Sequence, residues 1–264
     1  MGRRGRLDLD ARAVNVFITG ASSGIGASLA RLYLERGACV GLFARRVEAL
    51  QSLAGAYPAS RVAIFGGDVV DASVLQRAAS DFMMRFGTAD IVIANAGASR
   101  GADTAQSEDL AVFRRLFETN MLGMVHTFHP FLDAMRAARA GTLVGIASIA
   151  GIRGLPGGGA YSASKAAAIN YLESLRVELR DSGVAVVTIA PGYIATPMTA
   201  QNPYRMPFLM DVERAAPRIA RAIERRRRWY VLPWPMKIVA CALRAMPRWM
   251  FDALVAHAPR KPRD

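Results

Sequence analysis

Tyr161 and Lys165 stand four residues apart in a stretch whose apolar spacing reads as helix, so both side chains project from one face. A nearby ammonium favours phenolate over phenol and lowers a tyrosine pKa from its unperturbed value of about 10. Such a tyrosine can give a proton to an oxygen in one direction of a reaction and take it back in the other. Ser148 lies thirteen positions before Tyr161, directly after the apolar run ending in Ile146 and Ala147, which puts it at the carboxyl end of a predicted strand. Its hydroxyl can donate to an oxygen on which charge develops, or it can cap a turn with Gly151. A Tyr-x-x-x-Lys pair alone occurs on many exposed helix faces. Its chemistry depends on the scaffold that holds it.

Short apolar runs alternate with longer amphipathic stretches along most of the chain. Strands are predicted at 14–18, 39–43, 62–65, 91–94, 142–146, 184–189 and 229–232. Helices are predicted at 25–36, 47–53, 72–85 with Asp71 as cap, 112–138, 162–180 and 216–227. This alternation predicts an α/β fold, a doubly wound parallel sheet of about seven strands covered by helices on both faces. Between the first strand and the first helix runs Thr19-Gly20-Ala21-Ser22-Ser23-Gly24-Ile25-Gly26. Glycines remove Cβ atoms where backbone must approach a pyrophosphate, and the helix amino terminus supplies N–H donors and the positive end of a dipole.

That turn, followed in order by Asn95-Ala96-Gly97, Ser148, Tyr161-Ser162-Ala163-Ser164-Lys165 and Pro191-Gly192, resembles the short-chain dehydrogenase/reductase family over roughly residues 14–232. The resemblance implies a Rossmann-type sheet, a nicotinamide cofactor, a crevice at the carboxyl ends of the strands, and hydride transfer to a carbonyl or from an alcohol. It implies Asn120 as a fourth catalytic position beside Ser148, Tyr161 and Lys165, holding a water linked to the lysine. It also implies cofactor contacts from Gly20, Ser22, Ser23, Gly24, Ile25 and Gly26, with Asp68 and Val69 facing the adenine. Asn95, Ala96 and Gly97 would follow the inner edge, with Tyr161, Lys165, Pro191, Gly192, Ile194 and Thr196 towards the nicotinamide. At the end of the second strand, an acidic side chain would accept from both ribose hydroxyls and repel a 2′-phosphate. Here the chain reads Ala44-Arg45-Arg46, which predicts NADP(H), with Arg45 as the leading phosphate partner and Arg46 beside it.

We expect one oxidoreductase domain over 1–232 and an amphipathic extension over 233–264. The loop after Thr196 carries Tyr204, Met206, Pro207, Phe208, Leu209 and Met210, which as a lid would favour a small apolar carbonyl or alcohol substrate, unless these side chains complete the core. In the extension, Ile238, Val239, Ala242, Leu243, Met246, Trp249, Met250 and Leu254 fall at helical spacing opposite Lys237, Arg244 and Arg248, and Pro247 divides the stretch. An interfacial membrane helix, a subunit contact and a cover over the pocket all fit this pattern. Peripheral attachment to an anionic membrane is the expectation.

The formal charge is +13, from 34 Lys and Arg against 21 Asp and Glu, with lysine only at 165, 237 and 261. A basic balance suits nucleic acid, an anionic membrane or an acidic ligand. The run Arg225 to Arg228 reads more simply as a solvated helix end, so no nucleic-acid partner is expected. Cys39 and Cys241 suggest no disulfide framework, and His126, His129 and His257 do not group with acids or cysteines, so no metal is expected. Arg3, Arg4 and Arg6 precede an apolar run of only 14–18, with Asp8 and Asp10 between, and Arg6 stands where myristoylation needs Ser or Thr. These features predict a cytoplasmic protein, at the inner face of a membrane if the extension attaches. The resemblance further implies a homo-oligomer. A cofactor-holding sensor or scaffold without turnover is the competing reading.

Overall fold

A computed structural model of the chain describes residues 13–263; the basic amino-terminal residues and Asp8 and Asp10 lie outside them. The elements run β1 Asn15–Thr19, α1 Gly24–Glu35, β2 Cys39–Ala44, α2 Val47–Ala54, β3 Val62–Gly66, α3 Ala72–Phe86 and β4 Ile91–Ala94. They continue with α4 Leu110–Phe117, α5 Gly123–Ala138, β5 Gly141–Ile146, α6 Gly159–Glu178 and β6 Val184–Pro191. After these come β7 Ile194–Ala195, α7 Pro197–Ala200, β8 Met210–Asp211, α8 Val212–Glu224, β9 Trp229–Leu232, α9 Trp234–Ala245 and α10 Arg248–Val255.

Seven strands form one parallel sheet in the order β3-β2-β1-β4-β5-β6-β9. Because helices cover both faces, side chains of both strand parities are buried, which is why the strands read as continuous apolar runs. Val16, Ile18, Ile91 and Ile93 face the core beneath α1, α2 and α8. Their neighbours Phe17, Val92 and Ala94 face the opposite core beneath α3, α5 and α6. Phe17 sits at the centre of an aromatic cluster, with the Phe131 and Phe82 ring centroids at 5.0 and 5.5 Å. Gly41 makes room for it, since a Cβ there would lie 2.6 Å from the Phe82 ring.

Strand order reverses between β1 and β4, where the chain leaves in opposite directions and opens a crevice at the strands' carboxyl ends. Asp71 caps α3 as expected, accepting from the Ser73 and Val74 amides. The stretch expected as one helix over 112–138 differs. It comprises α4 and α5 joined by a π-helical turn at Glu118–Leu122, which inserts one residue's worth of slack and turns Asn120 inward. Pro247 separates α9 from α10.

Candidate active site

The crevice, of about 340 Å³, extends from the end of β2 across the glycine turn to α6. At its first end, Gly20 adopts φ +68° and Gly24 φ +55°, conformations that a side chain would strain. Gly26 lies behind the turn rather than on the crevice wall: its Cβ would fall 2.4 Å from the Gly20 carbonyl oxygen and from Asn95 Nδ2. Asn95 ties β4 to the turn by donating from Nδ2 to the Thr19 and Gly20 carbonyls at 3.0 and 3.1 Å. Ser23 precedes α1 in an extended conformation and its side chain caps no amide, so first-turn N–H groups remain open to a ligand. This glycine cradle with open helix amides fits the diphosphate of a dinucleotide.

Arg46 Nη2 donates to Ser22 Oγ at 3.2 Å, which brings its cation to the turn. Arg45 extends along the other side and is largely exposed, with Nη1 3.7 Å from Asp68. Asp68 also accepts from Arg115 Nη2 at 2.5 Å. Burial raises the Asp68 pKa, but the Arg115 hydrogen bond and the Val70 amide outweigh it and hold the carboxyl below its ordinary value. Val69 is buried beside it and its carbonyl meets His126 Nδ1 at 3.0 Å.

At the other end, β5 terminates in Ile146-Ala147 and delivers Ser148, whose Oγ accepts from the Ala150 amide at 3.1 Å. The same hydroxyl hydrogen-bonds Tyr161. Ser148 therefore caps the turn after β5 while bordering the crevice. Tyr161 and Lys165 project from the first turns of α6 towards β5. Lys165 is 4% exposed and its Nζ donates to the Ile146 carbonyl at 2.9 Å. Burial pushes its pKa down to about 8. The pKa of Tyr161 is raised by burial, and the Ser148 hydrogen bond offsets this only in part. The lowering anticipated from helical spacing is therefore not seen, because proximity along the helix did not reveal how deeply the pair is buried.

Asn120 is 1% exposed and stands one layer behind the crevice wall. Its Oδ1 accepts from the Ala98 amide at 2.8 Å, while Nδ2 donates to the Ala98 carbonyl and to Ser164 Oγ at 3.0 and 2.9 Å. A Cβ at Gly97 would lie 3.2 Å from Asn120 Oδ1 and 3.5 Å from Lys165 Nζ. Glycine there keeps the asparagine and the ammonium close. Pro191 ends β6; the next residue, Gly192, donates its amide to Leu232, and Met236 of α9 fills the space its side chain would take. Ile194 is buried, and Thr196 caps α7 through a reciprocal pair of contacts with Thr199.

Apart from Gly26 and Asn120, every residue expected to take part in catalysis or cofactor binding borders this one crevice, whereas the loop residues Tyr204, Met206, Pro207, Phe208, Leu209 and Met210 do not. Arg115 and Thr119 border it too and were missed. Arg115 is one of several arginines on an amphipathic helix, and its partner Asp68 lies 47 residues away, so no local pattern marks it.

Residues 14–206 match the family described as short chain dehydrogenase. The chain is 36% identical to an uncharacterized oxidoreductase of Myxococcus xanthus, over 89% of this chain and 94% of that one. It is 34% identical to dehydrogenase/reductase SDR family member 7B of Bos taurus, over 94% of this chain and 82% of that protein. The crystal structure of a short chain dehydrogenase from Burkholderia cenocepacia in complex with NADP superposes with a TM-score of 0.80 at 28% identity, covering 94% of this chain and 99% of that one. Matched from the glycine turn through the Tyr161 helix, this chain belongs to the short-chain dehydrogenase/reductase family and is an oxidoreductase of the NAD(P)-binding Rossmann type.

Proposed function

We propose that the chain reduces a carbonyl, or oxidises the corresponding secondary alcohol, on a largely apolar small molecule with NADP(H) as hydride partner. The observation that carries this reading is the hydrogen-bonded pair of Ser148 and Tyr161 hydroxyls in the same crevice as the glycine turn, with Lys165 buried behind them. When bound, the nicotinamide supplies or accepts the hydride. Ser148 donates to the substrate oxygen and fixes its position. Tyr161, kept protonated by burial, gives its phenolic proton to that oxygen during reduction. Lys165, with a pKa of about 8, is the next proton carrier, and Asn120 fixes the Ala98 backbone and the Ser164 hydroxyl around it. The intact set favours an enzyme over a sensor that holds a dinucleotide without turnover.

NADP(H) is favoured over NAD(H) by Arg46 beside Ser22 and by the exposed Arg45 guanidinium towards Asp68, two cations at the end of β2 where an acid would repel the 2′-phosphate. Apolar substrates are favoured by the loop before β8, where Phe208 and Leu209 stay 54% and 48% exposed instead of completing the core. Tyr161→Phe tests the central assignment: hydride transfer should be lost while the cofactor still binds. Unchanged single-turnover transfer would overturn it.

Residues 233–264 we read as an extension of the oxidoreductase unit that attaches to anionic membrane surfaces. Trp234 and Ile238 on α9 and Trp249 and Leu254 on α10 are each more than 60% exposed, with Lys237, Arg244 and Arg248 on the same two helices. No helix among the described residues is long and apolar enough to cross a membrane. A contact between copies in a homo-oligomer is the other role these residues would suit.

A further inference from the structure

The end of the chain returns to the loop after β4 and the turn before α6, beside Tyr161. Beyond α10, the Gly101 amide donates to the Pro262 carbonyl at 2.8 Å, and Arg100 Nε donates to the Arg263 carbonyl at 2.6 Å. The Arg263 side chain pairs with Asp109 at 2.8 Å and Glu108 at 3.0 Å. Two glycines make the seat. A Cβ at Gly101 would lie 2.3 Å from the Lys261 and Pro262 carbonyl oxygens, and one at Gly157 would lie 2.8 Å from the Lys261 amide nitrogen.

This strap sets Lys261 over the catalytic candidate, with Nζ 5.5 Å from the centroid of the Tyr161 ring. Lys261 is half-buried, and burial lowers its pKa. The two carboxylates at the strap's anchor are engaged by Arg263, and no carboxylate among the described residues pairs with Lys261. The other cations that sit on aromatic rings, Arg85, Arg153 and Arg244, do so away from the crevice. Desolvating an ammonium without a counter-ion is costly, and a ring face returns only part of that cost. Tyr193 and Tyr161 both help to raise the Tyr204 pKa, so three aromatic rings gather at this end of the site.

We propose that Lys261 determines specificity by receiving a carboxylate carried at the far end of the substrate's apolar body, so that the preferred substrates are oxo acids and the matching hydroxy acids. One ammonium matches one carboxylate, whereas a phosphate dianion calls for more donors than a single ammonium supplies. The assignment rests on Tyr161 being the proton donor, because the spacing from Lys261 is measured from that ring.

Binding without turnover gives the first test. In calorimetry on the full chain, octanoate should bind at least about tenfold more tightly than octanamide, and Lys261→Met should remove that preference while Lys261→Arg keeps most of it. Equal affinity for the two ligands, or a preference that survives Lys261→Met, would overturn the proposal. The second test uses straight-chain oxo acids and their methyl esters, with the carboxylate stepped along the chain and NADPH as donor. At the fitting length the acid-to-ester ratio of kcat/KM should fall about tenfold in Lys261→Met, through KM, and should invert in Lys261→Glu. A ratio that does not respond to either variant at any length refutes the carboxylate contact and leaves Tyr161 untouched. Ester reduction that persists in Tyr161→Phe refutes the proton donor, and the Lys261 proposal falls with it.

Discussion

Lys165 is 4% exposed, and burial brings its pKa from an ordinary 10.5 to about 8, with no carboxylate contributing to its environment. That gap, at about 1.4 kcal/mol per pH unit, corresponds to about 3–4 kcal/mol by which the folded state disfavours the ammonium. Below pH 8 the lysine is charged in both folded and unfolded chains, and the whole penalty is present. Between about 8 and 10.5 the unfolded chain binds the extra proton, so stability from this group rises with pH; above 10.5 the penalty is gone. Lys165→Met keeps the volume and removes the charge, at the loss of the 2.9 Å hydrogen bond to Ile146, about 1 kcal/mol. The variant should be inactive yet about 2–3 kcal/mol more stable than the wild type at pH 7, raising Tm by about 5–10 °C. By pH 10.5 that advantage should vanish. Parallel urea unfolding of both proteins at pH 7, 9 and 10.5 measures the difference and cancels other titrations. A variant that is less stable at pH 7, or a difference independent of pH, would show that the buried ammonium is not strained in this way.

Arg45→Ala should weaken NADP(H) by about 1–3 kcal/mol in a titration and leave NAD(H) nearly alone, while equal losses for both would remove the phosphate contact. Asn120→Ala strips the Ala98 amide, the Ala98 carbonyl and the Ser164 hydroxyl of a buried partner, so urea unfolding should show about 2–4 kcal/mol of destabilisation; a loss under about 1 kcal/mol would mean that these groups are satisfied in another way. The full chain should sediment with anionic vesicles at low salt and be released by high salt or by the Ile238→Glu, Trp249→Glu pair. These exposed positions are preferable to truncation after Leu232, which would also delete the buried Met236, Ala240 and Phe251. Protein that stays in the supernatant at low salt would turn these exposed apolar residues over to contact between copies.

Strands were legible because burial on both faces leaves continuous apolar runs, and the boundaries differ by only one or two residues. The first strand shifted from 14–18 to Asn15–Thr19 because Asn15, polar and buried, satisfies itself through Thr88, Phe86 and Asp90, partners more than 70 residues away. The π turn at Asn120 was not legible: a helical apolar pattern runs through it without a break, and the Ala98 loop that Asn120 holds lies 22 residues away. Spacing put Tyr161 beside Lys165, but the direction of their pKa shifts depends on desolvation by β5 and the loop after β4, which spacing does not encode. Lys261 gave no signal at all. It lies between Pro259 and Pro262, beyond the last helix, and only the folded chain brings it across one hundred residues to Tyr161.

The distribution of lysine and arginine along the chain then follows from what each position demands. Of 34 basic residues only three are lysine, and two of those three are the cations that flank Tyr161, Lys165 from beneath and Lys261 over the ring. A guanidinium keeps its proton under all working conditions and spreads five donors in a fixed plane, which suits Arg45 and Arg46 on an exposed rim and Arg263 on two carboxylates. An ammonium is compact and gives up its proton when it is desolvated, and both active-site lysines are shifted in that direction by burial. Lys165→Arg should therefore fail where Lys261→Arg succeeds: the buried site against Ile146 needs a group small enough to fit and labile enough to pass a proton, whereas the strap needs only a positive charge within reach of a substrate anion.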